Sequence, residues 1–216
     1  MIKQFRDLEK GEFFVVGVDT SAGGLDYCAA QFLSVDNHDV PLVIHSKKMI
    51  TEITPAIHDV LERVYDLTGV KPVIAYERNN GGVYEFERLA SLNRKGKYKL
   101  YESQTAGMVN PTKPRLLGWN TTSASRPKML ADLKDAIDNN LITVYDPDTV
   151  AEFMYFVVVQ TSTSWKATAE GGAHDDLIFA LAIAYQLLQT ERKPSTTQNV
   201  KVVNFNRANS KKWSLK

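Results

Sequence analysis

The stretch Phe13-Phe14-Val15-Val16-Gly17-Val18-Asp19-Thr20 decides how the rest of the chain is read. It is a continuous apolar run of strand-forming residues followed by a turn signal, and such a run fits a strand buried on both faces of a sheet. The run ends on a carboxylate. A charge within a buried strand is expensive unless it is paired or binds a metal, whereas at the strand's end it can face a cleft. Asp19 is therefore a candidate first ligand of a divalent-metal site. On this stretch alone a simpler role stays open, because Asp is a common turn former.

Beyond Asp19 the paired glycines Gly23-Gly24 mark a tight turn. Strand-like runs follow over Tyr27 to Val35 and Val40 to Ile50, joined by Asp36-Asn37-His38-Asp39, so the first three strands read as an antiparallel meander. Thr54-Pro55 reads as a helix start, with Ile57, Val60, Leu61 and Val64 at helical spacing and Gly69 as its close. Pro72 to Tyr76 is a short buried strand ending on Glu77. Asn79-Asn80-Gly81-Gly82 then turns into a helix carrying Val83, Phe86, Leu89, Ala90 and Leu92. A strand over Lys97 to Tyr101 and an irregular stretch from Thr105 to Thr122 precede a helix started by Ser125-Arg126-Pro127, with Met129, Leu130, Leu133 and Ile137 on one face. Leu141 to Tyr145 reads as a strand, and a short helix with Val150, Phe153 and Met154 follows Pro147. Phe156 to Gln160 and Trp165 to Ala169 form the arms of a hairpin. Asp175 and Asp176 open a strongly apolar helix over Leu177 to Leu188. Strands and helices in this order make an α/β chain, a mixed sheet with helices on its faces.

Composition bounds the chemistry. The chain has 216 residues, 44% hydrophobic and 24% charged, with a net charge of +1, an ordinary globular mix that leaves any nucleic-acid surface to a local patch. One cysteine, Cys28, excludes a disulfide framework and a Cys-rich zinc site and fits a reducing cytosol. The polar N-terminus is no signal peptide, and no run approaches a membrane span. Residues 1–190 read as one domain. Residues 191–216 carry seven Lys or Arg and one acid, the composition of a mobile basic tail.

Three acid positions recur at element ends: Asp19, Glu77 and the Asp175-Asp176 pair. Mg²⁺ and Mn²⁺ take hard oxygen ligands, usually a few carboxylates, and two such ions stabilise both oxygens of a phosphodiester displacement. Singly, each acid has a plain explanation, Glu77 as an ion pair with Arg78 and Asp175-Asp176 as helix caps. One acid suffices for a cap, however, and two precede this helix.

These residues carry a resemblance. Gly17-Val18-Asp19-Thr20-Ser21-Ala22-Gly23-Gly24-Leu25-Asp26-Tyr27, Tyr76-Glu77-Arg78-Asn79-Asn80-Gly81-Gly82, Gly118-Trp119-Asn120-Thr121-Thr122 and Gly172-Ala173-His174-Asp175-Asp176-Leu177, in that order, resemble the nuclease domain of bacteriophage large terminase subunits, which has an RNase H-like fold. The resemblance implies a mixed sheet flanked by helices, two Mg²⁺ or Mn²⁺ ions, and metal-dependent cleavage of double-stranded DNA during genome packaging. It implies Asp19, Glu77 and Asp176 as catalytic ligands; the expectation built on that set has Asp19 bridging the ions, Glu77 on the leaving-group side and Asp176 on the water side. Asp175 is then a neighbouring or alternative ligand. Asp26 matches an accessory acid of some members, and His174 is a further candidate for metal or phosphate. Arg78, Lys113, Arg115, Arg126 and Lys128 are candidate phosphate contacts, since non-specific cutting needs phosphate contacts more than base reading. Implied partners are a terminase ATPase domain, the small terminase subunit and the portal protein, with no membrane, in the cytoplasm of an infected bacterial host. The chain has no Gly-x-x-x-x-Gly-Lys-Ser/Thr phosphate loop, so the expectation is an excised domain or separately encoded piece without ATPase activity of its own. A junction resolvase of the same superfamily and a non-catalytic DNA-binding or motor-docking module remain the alternatives.

Overall fold

The computed structural model describes residues 1–21, 27–79, 81–103, 116–160, 165–169 and 174–194. Among these, the elements run β1 (Ile2–Gln4), β2 (Phe14–Asp19), β3 (Cys28–Ser34), β4 (Asp39–Val40), β5 (Leu42–Ser46), α1 (Ile50–Thr68), β6 (Val73–Tyr76), α2 (Gly82–Leu92), β7 (Lys99–Leu100), β8 (Glu102–Ser103), β9 (Leu116–Leu117), α3 (Ser125–Asp138), β10 (Thr143–Val144), α4 (Pro147–Tyr155), β11 (Phe156–Gln160), β12 (Trp165–Ala169) and α5 (Asp176–Thr190). A six-stranded sheet in the order β1-β5-β3-β2-β6-β7 is the frame. Its β1, β5, β3 and β2 pair antiparallel in succession. β6 and β7 continue it in parallel from β2. The α/β class and the mixed sheet flanked by helices are as the sequence leads one to expect.

The two faces of β2 build two cores. Phe13 and Val15 face a cluster containing Ala29, Val73, Ala75 and most of α5. Phe14, Val16 and Val18 face α1 and α2 through Ile57, Leu61, Phe86 and Leu89. Every residue of β2 is buried, which explains why its sequence is continuously apolar rather than alternating. Gly17 sets how closely α5 approaches. A Cβ there would lie 2.1 Å from the Ala180 carbonyl oxygen and 2.5 Å from the Ala184 nitrogen, so the helix backbone rests directly on the strand.

Several elements differ from the sequence expectation. α1 begins at Ile50, one turn before Thr54-Pro55, leaving Pro55 inside the helix. Ile50 and Ile53 extend the buried stripe of Ile57, Leu61 and Val64, and burying such side chains is worth about 1.5–3 kcal/mol each, more than the one hydrogen bond that Pro55 removes. Proline's missing N–H would leave the Thr51 carbonyl idle, and Arg88 Nη1 from α2 donates to it at 2.7 Å. β1 has no apolar signature because it is an edge strand, half open to water. β10 pairs with β4 in a separate two-stranded ladder. The hairpin of β11 and β12 is present, with Phe156 opposite Ala169 and Gln160 opposite Trp165. Of the expected tail, Glu191 pairs with Lys99 and Lys193 with Asp36; residues 195–216 lie outside the described residues. No described helix is long and apolar enough to cross a membrane.

Candidate metal centre

The register of the sheet lines up the site. Asp19 stands opposite Ala29 on β3, and Ala29 opposite His45 on β5. On the other side Val18 stands beside Tyr76, and the Glu77 N–H donates to the Val18 carbonyl at 2.8 Å, so Glu77 continues the same row. Period-2 alternation puts Asp19, Glu77 and His45 on the α5 face, since Val15, Ala75 and Val43 on the same strands lie in the α5 core.

α5 then delivers Asp176. Ala184, Ala180 and Asp176 are spaced four apart and share one helix face. From Ala180 to Asp176 is ~6 Å of helix, and from Gly17 to Asp19 is ~6.6 Å of strand. With α5 antiparallel to β2 and seated on Gly17, the two paths end together, and the small Ala29 leaves room for the helix terminus. Burial and the surrounding charges report the result. Asp19, Glu77 and Asp176 are each only 9% exposed. The Asp19 carboxyl is held well above its ordinary range, first by burial, then by the charge of Glu77 and a hydrogen bond shared with it, then by Asp176 and Asp175. The charges of Asp176 and Asp175 thus reach the Asp19–Glu77 pair.

Helix capping does not account for the Asp pair. Asp175 sits at the N-cap position but makes no side-chain capping bond. The cap comes from another helix: Glu152 Oε2 on α4 accepts the N–H groups of Leu177 at 2.9 Å and Ile178 at 3.1 Å. Arg126 Nη2 lies 3.5 Å from Asp175 Oδ2, and its guanidinium covers the Phe179 ring at 4.0 Å. Asp176 Oδ2 receives the Tyr27 N–H at 3.3 Å and stands 3.6 Å from His174 Nδ1.

The Glu77 end is braced by backbone. The Trp119 N–H donates to the Tyr76 carbonyl at 2.7 Å and the Arg78 N–H to the Trp119 carbonyl at 2.9 Å. Gly118, at φ +86°, passes so close that a Cβ would meet the Tyr76 carbonyl oxygen at 2.8 Å. Gly82 likewise lies over the Glu77 carbonyl, where a Cβ would sit at 1.8 Å. These close approaches explain Gly82 and Gly118, whereas Gly81 is required by its left-handed backbone, φ +84°. Asn79 Nδ2 donates to Glu77 Oε1 at 3.2 Å.

The structure therefore brings together Asp19, Glu77, Asp175 and Asp176, with His174 at their edge. Arg126 is at the centre through Asp175, whereas Arg78 donates to the Leu117 carbonyl at 2.6 Å and Lys128 pairs with Asp132. Asp26, Lys113 and Arg115 lie outside the described residues. Two buried or half-buried groups escaped the sequence reading. Glu152 did so because the expected apolar face of α4 holds only in part: Phe153 packs against the core, but Val150 and Met154 are exposed, and Thr149 and Glu152 turn inward. His45 carried a usable signal, two residues from Val43 on the inward face of a strand.

No protein-family model matches the sequence, and no curated protein is detectably similar to it in sequence. Solved structures are similar in fold. The large terminase nuclease of thermophilic phage G20c with bound magnesium superposes with a TM-score of 0.59 at 16% identity, over 85% of this chain and 84% of that one. The Thermus phage P74-26 large terminase nuclease domain gives 0.58 at 15% identity, over 88% and 85%. The manganese-soaked terminase nuclease domain of human cytomegalovirus gives 0.55 at 13% identity, over 85% and 91%. The chain has the RNase H-like fold of viral large-terminase nuclease domains.

Proposed function

We propose that this chain is a divalent-metal-dependent nuclease that cleaves double-stranded DNA during viral genome packaging. The observation that carries the reading is the convergence of Asp19, Glu77, Asp175 and Asp176 at the end of β2, with Asp19 driven well above its ordinary range by burial and its acid neighbours. Clustered acids that repel one another are the donor set a hard divalent cation requires. The fold and the magnesium- and manganese-containing neighbours support it.

Asp19, Glu77 and Asp176 would hold the metal, with Asp175 beside them. When bound, two such ions supply Lewis-acid stabilisation to the attacking and leaving oxygens of a phosphodiester. The protein's part is positioning. β2, paired on both sides, holds Asp19 rigidly; the backbone clamp of Trp119 and Gly82 holds Glu77; the Glu152 cap and the Gly17 contact fix the start of α5 and hence Asp176. In metal-free protein Asp19 and Glu77 share a hydrogen bond, which disperses part of their repulsion. Arg126 has two roles open to it on this reading, restraint of Asp175 and contact with DNA phosphate. Arg78, Lys113, Arg115 and Lys128 remain proposed phosphate contacts, Asp26 and His174 accessory ligands, and residues 191–216 a separate basic tail. A terminase ATPase domain, small subunit and portal protein in an infected host's cytoplasm are the proposed setting.

A plasmid-nicking assay tests the reading. Wild-type chain should cut duplex plasmid with Mg²⁺ or Mn²⁺ and not with EDTA, and Asp19→Asn should lose cutting with its circular dichroism unchanged. Cutting by Asp19→Asn at the wild-type rate would remove the proposal. Metal-independent binding without cutting would favour a non-catalytic module, and strong preference for four-way junctions a resolvase.

A further inference from the structure

We infer that His45, Glu152 and Asp176 form a separate cation position of mixed nitrogen and oxygen donors, selective for a first-row transition metal such as Co²⁺ or Mn²⁺ over Mg²⁺. Each residue places one ligand atom within 4.8 Å of those of the other two. They come from three elements, β5, α4 and α5, so the grouping is a product of tertiary packing and not of a local run of acids.

A second observation points to a ligand. Among the described residues His45 Nε2 is buried with no hydrogen-bond partner, although a buried ring nitrogen normally finds one. The ring is held in place, stacked on Tyr27 at a centroid distance of 4.3 Å. Glu152 is held as well, because its Oε2 receives the Leu177 and Ile178 N–H groups; a carboxylate has a second oxygen to offer. Asp176 is the shared member, reaching the carboxylate centre on one side and this position on the other. The two positions are distinct. Asp19 and His45 stand on strands two apart, separated by Ala29, which places their backbones about 10 Å from each other.

The donor set decides the metal. An imidazole with two carboxylates suits cobalt or zinc and is accepted by Mn²⁺, a softer transition ion than Mg²⁺, which prefers an all-oxygen shell and keeps its waters. The carboxylate cluster of Asp19, Glu77, Asp175 and Asp176 has no such bias of its own, and the one imidazole at its edge among the described residues is His174. Occupation would tie α4 and β5 to the start of α5 and so restrain Asp176. This inference goes beyond the nuclease reading and needs only the cluster itself.

Pulsed electron paramagnetic resonance on the whole chain loaded with Mn²⁺ tests it, because a coordinated imidazole nitrogen modulates the signal. Wild type should show nitrogen coordination that persists in excess Mg²⁺. Asp19→Asn and His174→Ala should keep it. His45→Ala in the His174→Ala background should lose it, and Glu152→Gln, which retains an acceptor for the α5 N–H groups, should weaken Mn²⁺ binding at this position at least tenfold. His45→Gln, closer in volume, repeats the test should the alanine variant fold poorly, and selective paramagnetic broadening of the His45 ring resonances reads the same contact in wild type. No nitrogen coordination in wild type at saturating Mn²⁺, or coordination unchanged without His45, overturns the inference. The readout is coordination and not cleavage: an inert chain with a His45-dependent signal leaves this site standing while sinking the nuclease reading, and an active chain without the signal does the reverse.

Discussion

At the scale of single residues the decisive feature is the concentration of acid side chains where water is largely excluded. Burial first, and neighbouring charges second, hold the Asp19 carboxyl well above its ordinary value of 3.8. Burial first, then the Asp176 and Asp175 charges, push Glu152 up to about 8 despite the backbone bonds it accepts from Ile178 and Leu177. An acid with a raised folded pKa keeps its proton when the unfolded chain has already released it, so stability declines as pH rises toward the folded value. His45 works in the opposite sense, since burial lowers it from 6.5 to about 4, but that effect is complete above its unfolded value. In EDTA the melting temperature should therefore fall between pH about 6.5 and about 8, and Asp19→Asn and Glu152→Gln should each make the fall shallower. Thermal unfolding followed by circular dichroism across that window checks it, and a melting temperature that climbs through the window contradicts it. Mg²⁺ should restore stability at the high-pH end by binding the ionised form.

At the scale of elements, two contacts lend themselves to direct tests. Gly17 is where α5 meets β2, and a Cβ there collides with helix backbone, which cannot rotate away as a side chain can. Gly17→Ala should cost about 3 kcal/mol of stability and should reduce cleavage further than the unfolding accounts for, because it moves Asp176 relative to Asp19. Urea denaturation and nicking assays on the same sample separate the two effects. The other contact joins α1 and α2. Pro55 lacks the N–H that Thr51 would otherwise receive, and Arg88 supplies the donor. Arg88→Ala should cost about 0.5–1 kcal/mol in wild type and less in a Pro55→Ala background, where the helix bonds Thr51 itself. A double-mutant cycle measures that coupling; additive costs would show that Arg88 does not compensate for the proline. Much at this scale was legible beforehand. The fully buried β2 and the largely buried α5 announced themselves by continuous apolar runs, and the Gly-rich segments marked turns. The start of α1 was misjudged because Thr-Pro is a strong local start signal, outweighed here by burial of Ile50 and Ile53.

At the scale of the whole molecule, one polar network ties the N-terminal segment to distant parts of the chain. Arg6 donates to Asp39 through Nε and Nη2 at 2.6 Å each and pairs with Glu12, while the Tyr145 hydroxyl donates to Asp39 at 3.0 Å. The Glu12 and Asp39 side chains are almost completely buried. Removing the one cation leaves two buried carboxylates uncompensated, so Arg6→Met should cost about 3 kcal/mol, seen as a lowered urea midpoint with unchanged slope. Removing all three charges together should cost less than Arg6→Met alone. This network had no signature in the sequence, because residues 6, 12, 39 and 145 become neighbours only when β1 and β10 dock.

The division between what sequence and tertiary structure each decided follows from range. Hydrophobic periodicity, caps and glycine punctuation are local, so the sequence by itself determined the α/β class, the order of the main strands and helices from β2 onward, and the placing of Asp19, Glu77 and Asp175-Asp176 at element ends. Which side chains meet is set by strand register and by the seating of helices, and these depend on contacts far apart in the chain, such as Gly17 against Ala180 and Ala184. Only the tertiary structure could decide that Glu152 caps α5 in place of Asp175, that Arg126 reaches Asp175, and that His45 arrives two strands away in the same row as Asp19.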